Sequence, residues 1–414
     1  MEKELQSQIF EVIEILKALK KKHLAKCIEE NWQKTVLSYS FELNIYKPAK
    51  KLEKEMLEAF KHELKRIGHK KEEIFKISAS LEKRRTIQTG PHLGATEGPR
   101  MLCINWLGSL GVKENDYYVV GMFSGIPFSN HFRPGRINKK TDSINLFPSN
   151  MQDALVYRSV IPQKLIETIE NLPEKIKELM PTAIVGESYT QWALNVCQNI
   201  ERSVLEKQNL IYLDINEVVA EYLIQVLKNK NRIFYKIFFD TKIREEFIKA
   251  FPNEIIFYSP MIKGKYETIE NFFFSENKLK SKEKEILLNN PKKLIQEIKE
   301  NRLCPGLIIG FLALTFLNHF KCFGSFAQVE YLPTYQEKLS KLKFMKKFKI
   351  EKVPTANLTT GTFPENPNSS PVDVILGEKL IKNPNMLLGE ILIPMKEVLI
   401  GSYFTGDVKK NLSR

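Results

Sequence analysis

Residues Thr86 to Pro99 read TIQTGPHLGATEGP, a short β-branched run that breaks into a turn rich in glycine and proline. The next segment, Arg100 to Val112 (RMLCINWLGSLGV), is dense in apolar residues and reads as a helix. A strand that ends in such a turn and feeds a helix brings backbone N–H groups and the positive end of a helix dipole to one point. That point suits an anion, and in an open α/β sheet it lies at the carboxyl edge of the strands, where ligands bind. Gly90, Gly94 and Gly98 recur every four residues. The stretch is therefore neither the dinucleotide-binding fingerprint nor a P-loop, which requires Gly-Lys followed by Ser or Thr.

Outward from this stretch the patterning changes character. Upstream, Ile9, Val12, Leu16 and Leu19 keep to one helix face. A second amphipathic helix follows Pro48 and closes at Gly68. Downstream, runs such as DYYVVGMFSG, SINLFP, TAIVG, NLIYLDI and NEIIFYSP alternate with helical segments. Such alternation predicts an α/β fold: a Rossmann-like, mostly parallel sheet with an N-terminal helical layer and helical insertions. Capping patterns at Ser188 with Gln191 and at Asp214 with Glu217 mark two helix starts. The expected organisation is a helical region over 1–81, the α/β core over 82–275, a charged helical connector over 276–303 and a second part of the core over 304–414. In this last part Pro305 fits the first turn of a buried helix. GEILIP and VLIGSYF read as short strands after a Pro- and Asn-rich loop.

Composition narrows the function classes. Lys and Arg number 63 against 49 Asp and Glu, a formal charge of +14. That excess favours an anionic partner, although lysines that only solvate helix faces would produce the same sum. The five cysteines are widely spaced and form no CxxC pair, and the six histidines form no HExxH. No metal site is expected, and a reducing, cytoplasmic setting is. The longest apolar run, Leu307 to Leu317, falls well short of the roughly 20 residues a bilayer span needs and reads as a buried helix.

Thr89, Gly90, Gly94, Gly98 and Pro99 spell T-G-x-x-x-G-x-x-x-G-P, and the later block NRLCPGLIIGFLALTFLNHFKCFGSFAQVEYLPTYQEKL carries a glycine-containing turn from Gly324 to Tyr331. Together they resemble the cysteine-adding ligase family of bacillithiol biosynthesis, whose Rossmann-like core is similar to class I aminoacyl-tRNA synthetases. HLG at His92–Gly94 also resembles the opening of the HIGH signature. The resemblance implies ATP or another adenine nucleotide as cofactor, held by Thr89, Gly90, Gly94, Gly98, Gly324 and Ser325. Where that family carries paired glutamines after Thr-Gly, this chain has Pro91 and His92, and MFSGIPFSNHFRPGR contains no carboxylate.

The chemistry-bearing candidates are His92 and His131, whose imidazoles suit phosphate binding or acid–base work near neutral pH. Arg100, Ser124, Arg133, Arg136 and Glu330 are candidate substrate contacts, because arginine forks match carboxylate or phosphate. Glu97 is expected to favour the helix N-terminus as an anion. Three functions follow as expectations: a nucleotide-associated ligase or transferase acting on a small anionic or amino-acid-like metabolite, a catalytically diverged RNA- or protein-binding relative, or another biosynthetic enzyme on this scaffold. The expected partners are that substrate and a second copy of the chain in a homodimer, with RNA ranking behind and no membrane.

Overall fold

The computed structural model describes residues 2–131, 133–347 and 352–401. Four strands, β1 (Thr86–Gln88), β2 (Tyr118–Met122), β3 (Leu210–Asp214) and β4 (Lys321–Phe323), form an all-parallel sheet in the order β4-β1-β2-β3. All four strands are buried along their length, as parallel strands covered on both faces are; β2 and β3 read as near-continuous apolar runs, whereas β1 and β4 also bury Thr86, Gln88 and Lys321. The fold class is the expected Rossmann-like α/β architecture.

Helices α1 (Glu2–Ala18), α2 (Lys22–Asn31), α3 (Val36–Asn44), α4 (Lys54–Arg66) and α5 (Lys71–Arg84) precede the sheet. Past β1 come α6 (Pro99–Leu110), α7 (Tyr189–Leu205), α8 (Ile215–Val226) and α9 (Phe326–Lys341). The N-terminal helices pack directly on those of the core: α3 on α6, α4 on α8, α2 on α9. One hydrophobic core consequently extends from Ile9 to Leu399. Ser188 and Asp214 cap α7 and α8 as expected, but Asp214 accepts from the backbone N–H of Asn216 and Glu217 has another partner.

Several sequence expectations are corrected. A five-stranded antiparallel sheet joins Phe257–Lys263, Tyr266–Ser275, Lys278–Lys280, Glu285–Leu287 and Cys304–Pro305. NEIIFYSP thus belongs to a hairpin, closed by Gly264 at φ +62°, a conformation glycine enters at no steric cost. The supposed helical connector contributes two of these strands before the helix Pro291–Lys299, whose first turn holds Pro291. Pro305 lies in a strand, and Gly306 caps the helix Leu307–Phe311, which continues as a π-helix to Leu317. SINLFP supplies only the two-residue strand Ile144–Asn145, paired antiparallel with Arg136–Ile137, while TAIVG is irregular. GEILIP is helical over Leu388–Leu392, and VLIGSYF is helical as far as Gly401, its remainder lying outside the described residues. Among the described residues no helix is long and apolar enough to cross a membrane.

Candidate functional site

At the carboxyl edge, β1 leaves through α6 towards β2, whereas β4 leaves through α9 to the other side, where Leu358 pairs in parallel with Gly324. Adjacent strands whose connections diverge open the crevice in which α/β proteins bind ligands. Thr89, Gly90, Gly324 and Ser325 all lie here. In this chain, however, two glutamine side chains occupy the crevice. Gly90 N–H donates to Gln88 Oε1 at 2.9 Å, and Gly324 N–H donates to Asn357 O at 3.0 Å. The Gln328 amide lies over Gly324, where a Cβ would come within 2.2 Å of Gln328 Cδ. Thr89 Oγ1 sits within 3.1 Å of Gln328 Oε1 and 3.0 Å of Phe323 O. Of the backbone donors expected to cradle a nucleotide phosphate, Thr89, Gly90 and Gly324 therefore already have partners.

The neighbouring side of the edge is built differently. Pairing of the first two strands continues past their ends, with Leu93 N–H donating to Phe123 O at 2.9 Å, so His92 stands beside Phe123. Residues 134–138 close over the loop. Asn138 donates its N–H to Thr96 Oγ1 at 2.7 Å and its amide to Thr96 O at 2.8 Å. Pro134 Cα lies where a Cβ on Gly94 would be only 3.0 Å away, so this glycine is needed for close approach rather than for an unusual φ. Tyr189 OH anchors the same segment through Pro134 O.

These contacts gather three basic side chains at the start of α6. The His92 and His131 rings lie 6.3 Å apart, and His92 Nδ1 lies 3.3 Å from Asn130 Oδ1. Arg100, the second residue of α6, is half-buried; partial desolvation of His131, followed by the Arg100 charge, holds that imidazole below its usual range. Burial pushes His92 down to about 4, so its imidazole is neutral at neutral pH. Among the described residues, Arg100 makes no hydrogen bond or ion pair, and Gly98 caps α6 without a side-chain bond. A partly desolvated guanidinium without a carboxylate, beside the open end of a 12-residue helix, is a receptor for an anion.

Glu97 corrects another expectation. It is 4% exposed, Oε1 has no hydrogen-bond partner among the described residues, and burial together with the Glu201 charge raises it well above the carboxylate range. It is a neutral acid and does not oppose an anion at Gly98. Glu201 on α7, buried beneath it, accepts from Asn105 Nδ2 at 2.8 Å and Tyr212 OH at 2.6 Å, yet burial still raises it to about 7. A carboxyl with a raised folded-state pKa adds stability below its unfolded value, and this is lost as pH rises through the folded value. Glu201→Gln keeps an acceptor for both donors. It is expected to raise the melting temperature relative to wild type at pH 8 and to leave it little changed at pH 4, as scanning calorimetry across that range would reveal.

The remaining candidates are dispersed. Arg136 lies within the closing segment, its carbonyl 3.4 Å from Thr96 Oγ1. Arg133 is exposed, in the left-handed region at φ +55°, and donates to Ser143 Oγ at 3.2 Å. The Glu330 carboxylate is engaged by another helix: it accepts the N–H groups of His23 and Leu24 at 3.1 Å and anchors the start of α2. Ser124 follows β2 and is fully buried.

Ser124 belongs to an ionic cluster that motif reading missed. Asn216 Oδ1 accepts from Ser124 N–H at 2.8 Å and Gly125 N–H at 3.0 Å. Arg158 forks onto Glu217, with Nη2 at 2.5 Å, and Arg66 onto Glu63 at 2.6 and 2.9 Å. Asp214 N–H donates to Glu63 Oε1 at 2.9 Å. Burial and the charges of Glu217 and Glu63 drive the Asp214 carboxyl up, against the opposing charge of Arg66. With Asp214 protonated, Glu63 and Glu217 are matched by Arg66 and Arg158, and the cluster is neutral. The only sequence signal was the density of charge at helix starts, which looks the same on a solvated face.

No protein-family model and no curated protein matches the chain.

Proposed function

We propose that this protein is an enzyme of the ligase or transferase type that takes a small phosphate- or carboxylate-bearing substrate at the His92–Arg100–His131 site. The observation that carries this reading is Arg100, half-buried at the start of α6 without an acidic partner among the described residues. Arg100 and the helix N-terminus hold the substrate's charge, and the same groups stabilise charge that develops on transfer. Neutral His92 offers a ring nitrogen that accepts a hydrogen bond from the attacking group and orients it. ATP or another adenine nucleotide remains the proposed donor of the transferred group. It would bind on the α6 side of the edge, because Gln88 and Gln328 fill the side next to β4.

The direct test is thermal shift with ATP, AMP, pyrophosphate and amino acids at millimolar concentration. Pyrophosphate or nucleotide is expected to stabilise wild type, and Arg100→Gln to weaken this about tenfold or more, the value of a charge-assisted contact. Stabilisation unchanged in the variant would place the anion elsewhere. Sulfate, whose charge is constant across the range, is expected to bind more tightly as pH falls from 7 to 5. An anion favours protonated imidazole, and both histidines start from depressed values. A calorimetric titration with flat pH dependence would exclude them from the site.

The filled crevice at Gln88 and Gln328 favours one second reading, a diverged binding protein that has closed the nucleotide cradle. Salt-dependent RNA binding with no response to any nucleotide would select it.

A further inference from the structure

We propose a second ligand site on the opposite, amino-terminal edge of the parallel sheet, shaped for a small apolar carboxylate such as an aromatic or branched aliphatic acid. The site is a cavity of about 240 Å³ between the start of α4, the end of α8 and the π-helical segment that leads into β4. A dry cavity of about 150 Å³ accommodates benzene, so this volume holds a six-membered ring and a carboxylate.

Its lining is divided by polarity. Val226, Ile233, Phe234 and Phe316 supply an apolar floor, while Lys50, Lys51 and Arg232 supply the cationic part. The acid in the wall is already engaged: Glu53 accepts from Arg232 Nη1 at 3.0 Å and from Tyr222 OH at 2.5 Å. Arg232 places its other arm on Glu55. Lys51 is exposed and, among the described residues, makes no hydrogen bond or ion pair. An apolar slot with an uncommitted ammonium at its mouth matches a ligand with a hydrocarbon body and one negative end.

The backbone around the cavity is specialised and braced. Leu312–Leu317 is π-helical, a form that recurs at functional sites, and Phe316 and Leu317 both line the cavity. His319, another lining residue, is 2% exposed and holds φ +56°, a conformation that costs energy for any residue but glycine. Arg85, immediately before β1, donates to Asn318 O at 2.8 Å and Lys50 O at 3.2 Å, tying both walls to the sheet. The slot is therefore preformed, which limits the ordering cost of binding.

The test is the fluorine NMR linewidth of millimolar 4-fluorobenzoate in the presence of the full-length protein. Wild type is expected to broaden the line, and the uncharged 4-fluorobenzyl alcohol to be broadened less. Val226→Trp, which fills the slot, is expected to abolish the effect. Lys51→Glu, an exposed change that leaves the core intact, is expected to weaken binding about threefold or more, the value of a rim charge. Absence of broadening by wild type, or equal broadening by wild type and Lys51→Glu, would overturn the proposal. So would loss of broadening in Arg100→Gln, which would assign the ligand to the carboxyl edge.

Discussion

Arg158→Met is expected to destabilise the protein by about 3–5 kcal/mol, the range for removing one partner of a buried ion pair. Glu217 is 3% exposed and receives both arms of the Arg158 fork. Without that arginine, Glu63, Asp214 and Glu217 face Arg66 alone, and a second acid must take up a proton or remain uncompensated. The loss should consequently be greatest at high pH and shrink as pH falls and the uncompensated cluster takes up a proton. Arg158→Met combined with Glu217→Gln should recover much of the loss, because an amide is far cheaper to bury than a lone carboxylate. Urea denaturation of the single and double variants checks both statements. A single-variant loss below about 1 kcal/mol would mean that Glu217 is as well solvated as a surface acid.

Gly306→Ala carries the other large effect, through sterics rather than charge. A Cβ at Gly306 would come within 2.1 Å of Ile255 O and 3.0 Å of Ile256 O, both backbone atoms that cannot rotate away. Gly306 also donates to Ile256 O at 2.8 Å, while the preceding carbonyl, Pro305 O, accepts from Asn216 Nδ2 at 2.8 Å. This residue is thus the joint between the antiparallel sheet and the helix leading to β4. Relieving the clash would shift a strand or that helix, at about 3 kcal/mol or more, the upper end of overpacking penalties. Gly98→Ala is the matched control: nothing lies within 4 Å of its Cβ and its φ is −85°. It should change stability by less than about 0.5 kcal/mol, as an unconstrained position does. Equal melting temperatures for the two variants would contradict the packing described at Gly306.

Strands β1 to β3 of the parallel sheet were legible because they are buried on both faces and leave apolar runs such as Tyr118–Met122 and Leu210–Asp214, whereas the three-residue β4, Lys321–Phe323, was not picked out as a strand. The antiparallel sheet was not, because its outer strands are half-solvated. Lys278–Lys280 and Glu285–Leu287 carry lysine and glutamate that composition alone assigns to a helix face. The turn from Thr86 to Pro99 was correctly placed as a strand–loop–helix junction, and His92, Arg100 and His131 do converge beside it. What no spacing could reveal is side-chain occupancy. Gln88 and Gln328 lie far apart in the chain yet fill the crevice together, one from the end of β1 and the other from the first turn of α9. Glu97, read as a helix-favouring anion, is made neutral by burial, which spacing does not show, and by the charge of Glu201 on another helix. The partners of Glu330, the N–H groups of His23 and Leu24, were hidden for the same reason, being remote in sequence.

A crystal structure of the protein grown with pyrophosphate tests the central claim most directly. The result expected is phosphate density within hydrogen-bond reach of the Arg100 guanidinium and an imidazole of His92 or His131, at the start of α6. Density beneath Gly90 and Gly324, with Gln88 and Gln328 swung aside, would contradict the assignment, as would an unoccupied Arg100 under conditions where solution binding is saturated.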